Sequence, residues 1–260
     1  PTLLLKMWKF RYQYDVVHIH SISRFGAAAV KWAKMLGKPV LLKLMGFGAF
    51  GLPGVHARPM GNFILKQLLK ADSIVAMSQQ SVLEILDAGY PYRRIFKITN
   101  GIHPILDRTK REATNRTTVI FSGRLSAEKG CLDLISAWQK VVETYDDRVR
   151  LVLCGDGPER AAIIHRMDQL NLGAFVSLNG HVENVFSELL KSDIFVLPSY
   201  AEGNSNAIME AMAAGLPIVS TPVGGTPLLV GPDGARFLFQ PGDIDRLSAL
   251  LIQLIDDPLL

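Results

Sequence analysis

Two glutamates, Glu202 and Glu210, and two cations, Arg124 and Lys129, are the residues whose types and spacing best suit chemistry. Glu202 stands in a polar turn with Gly203, Asn204 and Ser205. Asn204, Ser205 and Asn206 can cap the helix that follows, and Gly203 lets a ligand approach bare backbone amides, an arrangement that binds anions. Glu210 falls roughly two turns inside that helix, about 12 Å further along at 1.5 Å per residue. Two carboxylates so far apart cannot share one proton or one metal ion. They could instead bind hydroxyl groups at the two ends of a nucleotide sugar. The plainer alternatives are that Glu202 complements the helix dipole, worth about 0.3–1 kcal/mol, and that Glu210 lies on a solvated helix face. Ile208, Met209, Ala211 and Met212 flank Glu210, and an unpaired carboxylate buried among them would be costly.

Arg124 and Lys129 belong to the segment Phe121-Ser122-Gly123-Arg124-Leu125-Ser126-Ala127-Glu128-Lys129-Gly130, between a predicted strand and a predicted helix. Loops at the carboxyl edge of a parallel sheet are where open α/β folds bind ligands. Two cations near a helix N-terminus suit a diphosphate; they also suit a solvated surface loop. Cys154-Gly155-Asp156-Gly157-Pro158-Glu159-Arg160 follows a second strand. Its glycines permit a tight turn and Pro158 suits the first position of a helix, so a strand-to-helix turn is the favoured reading.

The elements that must position these residues follow a βαβα rhythm. Apolar runs predict strands at 16–19, 40–44, 73–76, 95–98, 118–121, 150–153, 175–178, 194–197 and 217–220. Most are continuous rather than alternating, as a parallel sheet covered on both faces requires. Helical spacing is read at 25–36, 62–69, 81–87, 130–143, 159–169, 185–190, 206–214 and 244–255. Asn100-Gly101, Pro104 and the polar stretch 106–116 read as a junction between domains at 1–104 and 105–260. Charge changes sign there: the first part carries 14 basic and 4 acidic side chains, the second 14 and 20. An opposite-sign split suggests two units with different partners.

Hydrophobic residues at 48% and charged ones at 20% supply a real core and exclude a disordered or collagen-like chain. Two cysteines, Cys131 and Cys154, cannot build a disulfide framework or a zinc site; they read as small buried apolar residues in a reducing compartment. No run of about 18 apolar residues is present to span a membrane. The first 100 or so residues offer four strands and no opening strand with a Gly-rich turn. An N-terminal piece of that domain is therefore expected to be missing.

With these motifs in order, the chain resembles glycosyltransferase family 4, whose GT-B fold sets two Rossmann-like domains face to face across a cleft. Glu202 and Glu210 match the family's glutamate-x7-glutamate motif, and Gly123-Arg124 with Lys129-Gly130 matches its donor-diphosphate loop. Gly155-Asp156-Gly157-Pro158, Gly180-His181-Val182, Ala214-Gly215-Leu216-Pro217 and Gly224-Gly225 fall at the family's places, and Asp15-Val16-Val17-His18-Ile19-His20 and Asn100-Gly101-Ile102 resemble its first-domain signatures. The resemblance implies an enzyme that moves a sugar from a nucleotide donor, UDP- or GDP-linked, to an acceptor hydroxyl with retention and without a metal or other cofactor. It implies that Arg124, Lys129 and the amides of Gly203, Asn204 and Ser205 bear the diphosphate charge. Glu202 would then contact the transferred sugar, Glu210 the ribose, and the backbone at His181 and Val182 the base; Glu202, Arg124 and Lys129 are the expected catalytic set.

Departures from the family accompany these matches. Many relatives carry a histidine after the strand ending here at Leu44, where this chain reads Met45-Gly46-Phe47-Gly48. His103 replaces an aspartate, Pro227-Leu228 replaces Pro-Glu, and the family's N-terminal Gly-rich loop and returning C-terminal helix have no counterpart. The chain is thus expected to bind donor better than it turns over substrate, and a non-catalytic nucleotide-sugar-binding subunit or sensor is the alternative. His18 and His20 read as structural. A GT-B epimerase fits the carboxylate and histidine pattern poorly, and no aromatic-rich basic stripe supports nucleic-acid binding. The acceptor is left open among a glycan, a lipid-linked molecule and a small molecule. The stretch Leu5-Lys6-Met7-Trp8-Lys9-Phe10-Arg11-Tyr12 reads as a packed helix in preference to a membrane-surface one. The expected location is the cytoplasm, with peripheral contact at the inner membrane face.

Overall fold

The computed structural model describes residues 2–48, 51–102 and 116–257. The described chain divides into two compact units, Pro1–Gly101 and Ile102–Leu260. His103, Pro104 and most of the expected junction at 106–116 lie outside the described residues.

The first unit runs α1 (Thr2–Lys9), β1 (Val17–Ile19), α2 (Arg24–Met35), β2 (Val40–Leu44), α3 (Leu52–His56), α4 (Gly61–Leu68), β3 (Ser73–Ala76), α5 (Gln79–Asp87) and β4 (Ile95–Lys97). Its strands form one parallel sheet in chain order, β1-β2-β3-β4. Ser23 and Ser78 start α2 and α5 by accepting the Gly26 and Ser81 amides, satisfying donors that a helix leaves open at its first turn. Val30, Ala33, Leu42, Leu44, Leu68 and Ile74 are buried between sheet and helices. Helix α1 forms, but none of its residues is fully buried. It packs in part, as the sequence predicts: Met7 lies against the core of the unit, while Leu3, Leu5 and Trp8 remain exposed.

The second unit runs β5 (Thr117–Ser122), α6 (Cys131–Tyr145), β6 (Val149–Cys154), α7 (Arg160–Gln169), β7 (Val176–Gly180), α8 (Val185–Leu189), β8 (Ile194–Leu197), α9 (Asn206–Ala213), β9 (Ile218–Ser220), α10 (Thr226–Gly234) and α11 (Ile244–Asp256). Its parallel sheet has the order β7-β6-β5-β8-β9. The continuous apolar strands are buried on both faces, β8 at every position, and α6 and α11 lay Trp138, Leu134, Leu250 and Leu251 on the core. Cys131 and Cys154 are free and buried, their thiols pushed up to about 12 and about 11 by burial. The sequence reading omits α3 and α10. Both carry prolines and glycines that read as breakers, and α10 does break, at Gly231 with φ 67°. Among the described residues, no helix is long and apolar enough to cross a membrane.

Candidate functional site

In the second sheet the strand order reverses between β5 and β8. The chain leaves β5 toward one side of the sheet and β8 toward the other, which opens a crevice at the carboxyl ends of these two strands. Ile120 pairs with Phe195, so the ends of β5 at Ser122 and of β8 at Leu197 are level. The Gly123–Lys129 loop and the Glu202 turn therefore begin side by side.

Backbone contacts lock the two loops together. The Tyr200 amide donates to Glu128 O at 2.8 Å. Gly130 takes φ 66°, and a Cβ there would collide with the Pro198 carbonyl oxygen; only glycine admits both the left-handed backbone and the close approach. The turn after β6 braces the first loop from its other side: the Leu125 amide donates to Asp156 O at 3.0 Å and the Glu159 amide to Leu125 O at 3.0 Å. The segment around Gly155 and Asp156 is thus the strand-to-helix turn its sequence indicates. The loop after β9 supports the Glu202 turn. Thr221 Oγ1 donates to Ser199 O at 2.6 Å, the Gly225 amide to Gly203 O at 2.7 Å, and Gly224 packs against the Glu202 carbonyl.

On this scaffold Lys129 Nζ lies 2.6 Å from Glu202 Oε1. Ser199 Oγ donates to the same oxygen at 2.7 Å. The side chains are 19% and 7% exposed, so the carboxylate is taken from water and held by a cation and a hydroxyl. Arg124 is exposed beside them and its guanidinium has no side-chain partner among the described residues. Ser205 caps α9, its hydroxyl accepting the Ile208 amide, which leaves Gly203 and Asn204 in the approach to the helix. Glu210 is half-buried in α9 between buried Ile208 and Ala211. Its carboxyl has no partner among the described residues, and burial pushes it above its ordinary value.

His181 and Val182 follow β7, two strands from β5, about 10 Å away at 4.7–4.9 Å per strand. His181 is exposed, and Val182 packs partly on the core. The structure thus brings Lys129 and Glu202 into contact, with Arg124 five residues before Lys129 in the same loop and Gly203, Asn204 and Ser205 directly after Glu202. Glu210 stands further along α9, and His181 further along the sheet edge.

Sequence reasoning misses Ser199 and Thr221, both fully buried. A single buried hydroxyl at a strand end leaves no mark on hydrophobic periodicity. It also misses Tyr200 Oη, which donates to Asp133 Oδ2 at 2.7 Å. In the first unit His18 and His20 are exposed and pair with each other, Nδ1 to Nε2 at 3.3 Å. Burial, then the neighbouring His20 and Lys43, hold His18 below its ordinary value. Lys43 Nζ donates to Asn100 Oδ1 at 2.8 Å. Met45, exposed, occupies the end of β2.

The family described as "Glycosyl transferases group 1" matches residues 104–260, and "Glycosyltransferase Family 4" matches residues 1–105. The chain is 31% identical over 147 residues to the 2-deoxystreptamine N-acetyl-D-glucosaminyltransferase of Niallia circulans, covering 56% of this chain and 38% of that protein. It is 25% identical over 257 residues to the N-acetyl-alpha-D-glucosaminyl L-malate synthase of Bacillus anthracis, covering 95% and 67%. The chain therefore spans between about two fifths and two thirds of the length of these relatives. Among solved structures, Anabaena Alr3699/HepE in complex with UDP and glucose superposes with a TM-score of 0.80 at 21% identity, over 99% of this chain and 72% of that one. Trehalose-6-phosphate synthase OtsA gives 0.78 at 16% identity, over 98% and 68%. At these identities the likeness carries the fold, two parallel-sheet α/β units of the GT-B class.

Proposed function

We propose, because the chain belongs to the group 1 glycosyl transferases, that its second unit binds a nucleotide-sugar donor for transfer of the sugar to an acceptor hydroxyl with retention of configuration. The observation that carries this reading is the Lys129–Glu202 pair at the strand-order reversal, with the guanidinium of Arg124 exposed beside it. The bond between the anomeric carbon and the diphosphate oxygen breaks, and its electron pair leaves with the nucleoside diphosphate. The acceptor oxygen bonds to the anomeric carbon, and its proton passes to the departing diphosphate oxygen. Charge grows on that oxygen during the step, and Arg124, Lys129 and the amides of Gly203, Asn204 and Ser205 stabilise it. These cations take the place that a divalent ion fills elsewhere, so no metal and no cofactor beyond the nucleotide-sugar co-substrate is assigned.

In this reading Glu202, fixed by Lys129 and Ser199, contacts the transferred sugar. Glu210 receives the ribose hydroxyls, which supply the hydrogen bonds its carboxylate lacks. The backbone at His181 and Val182 meets the base. UDP- and GDP-sugars are the first donors to try; HepE was solved with UDP and glucose. The acceptor is a glycan, a lipid-linked molecule or a small molecule, taken by the basic first unit. The two free thiols and the basic charge of that unit support a cytoplasmic protein that touches an anionic membrane surface.

A thermal-shift panel of UDP-, GDP- and ADP-sugars tests the donor assignment, since a ligand at ~100 times its Kd stabilises by about 2.7 kcal/mol. No shift with any donor would sink it. Met45 at the end of β2 favours a second reading, a nucleotide-sugar-binding subunit without turnover; donor binding without acceptor-dependent release of nucleoside diphosphate would select it.

A further inference from the structure

Helices α2 and α4 of the first unit leave a cavity of about 260 Å³ between them. Ala27 and Ala28 of α2 face Phe63 and Ile64 of α4 across it, and Met60 closes one end. Arg24 and Lys31 stand on the same α2 face, seven residues and about 10 Å apart along the axis. The groove is thus apolar between two cations. No carboxylate lines it, and neither cation has an acidic partner among the described residues. Nearby acids are engaged elsewhere: Asp72 by Lys34 and the Val40 amide, Glu84 by the Gly48 and Leu52 amides.

The mouth of the groove is apolar as well. Met60 and Phe63 are 61% and 52% exposed. Met60 holds φ 63° at the start of α4, a left-handed backbone that residues with a side chain seldom adopt and that clusters at functional sites. Contiguous exposed apolar side chains rimmed by charge mark a surface that receives something.

We propose that this groove seats one anionic lipid of a membrane surface, an acyl chain between α2 and α4 and the head-group phosphate on Arg24 and Lys31. A free phosphate would leave the apolar walls wet, and a neutral apolar ligand would leave both cations without a counter-charge. An anionic amphiphile satisfies both. A second copy of the chain would bring like charge against like charge, because residues 1–104 carry 14 basic and 4 acidic side chains. The inference rests on the membrane contact proposed above and gives it a site; it does not depend on sugar transfer.

Co-sedimentation with phosphatidylcholine vesicles, with and without phosphatidylglycerol, tests it in the absence of nucleotide sugar. The intact chain should bind the anionic vesicles, and R24Q/K31Q and F63S should each weaken that binding by about tenfold or more, while K6Q/K9Q on α1 has the smaller effect. All these side chains are exposed or at the groove surface, so unchanged circular dichroism and melting temperature confirm that the variants fold. If only the α1 variant loses binding, the membrane contact stands and the groove does not. If the intact chain ignores anionic vesicles, both fall. Dihexanoyl phosphatidylglycerol below its micelle concentration should bind with the same dependence on Phe63; equal binding of glycerol phosphate would reduce the groove to an anion site and overturn the proposal. Loss of self-association in F63S, seen by sedimentation velocity in place of lost vesicle binding, would assign the face to a second copy.

Discussion

Lys129 Nζ and Glu202 Oε1 lie 2.6 Å apart, at the point where the strand order of the second sheet reverses. The two residues come from different loops, 73 positions apart in the chain. Their pairing holds the carboxylate and the cation against each other while Arg124 stays exposed. Under the proposed function, a diphosphate arriving at Arg124 would compete with Glu202 for Lys129, and a sugar hydroxyl would compete with Lys129 for Glu202. Donor binding and the pair are therefore linked energetically.

Breaking the pair from one side should cost more than removing both charges. Lys129→Met leaves a carboxylate, 7% exposed, with only Ser199 to satisfy it. Losing one partner of a fully buried pair costs about 3–5 kcal/mol; the exposure of Lys129 reduces that here to about 1–3 kcal/mol. The double variant Lys129→Met/Glu202→Gln should recover at least about 1 kcal/mol of this, a coupling typical of residues in contact. Urea unfolding of the four proteins in the cycle measures it, and additive effects would show that the pair contributes nothing net.

Arg124 has a different signature, because it is exposed and its guanidinium has no partner among the described residues. Arg124→Ala should leave the melting temperature unchanged to within about 1–2 °C, as surface substitutions usually do. Hydrogen bonds to charged groups are worth about 1.5–3 kcal/mol, so affinity for a nucleoside diphosphate should drop by about tenfold or more, with nucleoside affinity unaffected. Calorimetric titration with both ligands decides the point. Equal losses would remove Arg124 from the diphosphate site.

Glu210 combines a proposed binding role with a stability penalty. Burial holds its carboxyl above the ordinary value. Its contribution to stability is therefore fully present below the unfolded pKa and is lost as pH rises through the folded one. Glu210→Gln should raise the melting temperature of the ligand-free protein at pH 7, by up to about 2 °C for a chain of this size, and should give no gain below about pH 4. Hydroxyl donors favour the ionised carboxylate, so nucleotide affinity of the unsubstituted protein should fall as pH drops through the raised value. The Gln variant should bind weakly at every pH. A variant that binds as well as the parent would place the ribose elsewhere.

The strands were the most legible part of the fold. Residues 40–44, 73–76 and 194–197 are strands with the bounds read from apolar runs, because continuous burial in a parallel sheet leaves an unbroken sequence signal. Helix α10 was illegible for the converse reason: Pro227, Gly231 and Pro232 indicate breaks, and two helical segments flank a real break at Gly231. At the site, the loops bearing Arg124, Lys129 and Glu202 could be located from their neighbours in sequence. The contact between Lys129 and Glu202 could not, since it depends on β5 and β8 being adjacent while α6, β6, α7, β7 and α8 separate them in the chain. Ser199 was hidden for another reason: its partner Glu202 is three residues on in the same turn, and a single buried hydroxyl leaves no mark on hydrophobic periodicity.

Gly130 is the hinge of that convergence, and its substitution separates two costs that glycine avoids. It holds φ 66°, and a Cβ would strike the Pro198 carbonyl of the neighbouring loop. Gly215, in the same unit, holds φ 80° with nothing near its missing Cβ. Gly215→Ala should therefore cost only the left-handed backbone, about 1–2 kcal/mol. Gly130→Ala must bear that cost and also push apart the loops that bring Lys129 to Glu202, so it should destabilise by a further 1 kcal/mol or more, in the roughly 1–3 kcal/mol range of overpacked sites. Nucleoside diphosphate affinity should fall in Gly130→Ala and hold in Gly215→Ala. Denaturant unfolding and ligand titration of the two variants provide the comparison; equal destabilisation with intact binding in both would mean that the approach of Gly130 to Pro198 has no part in forming the site.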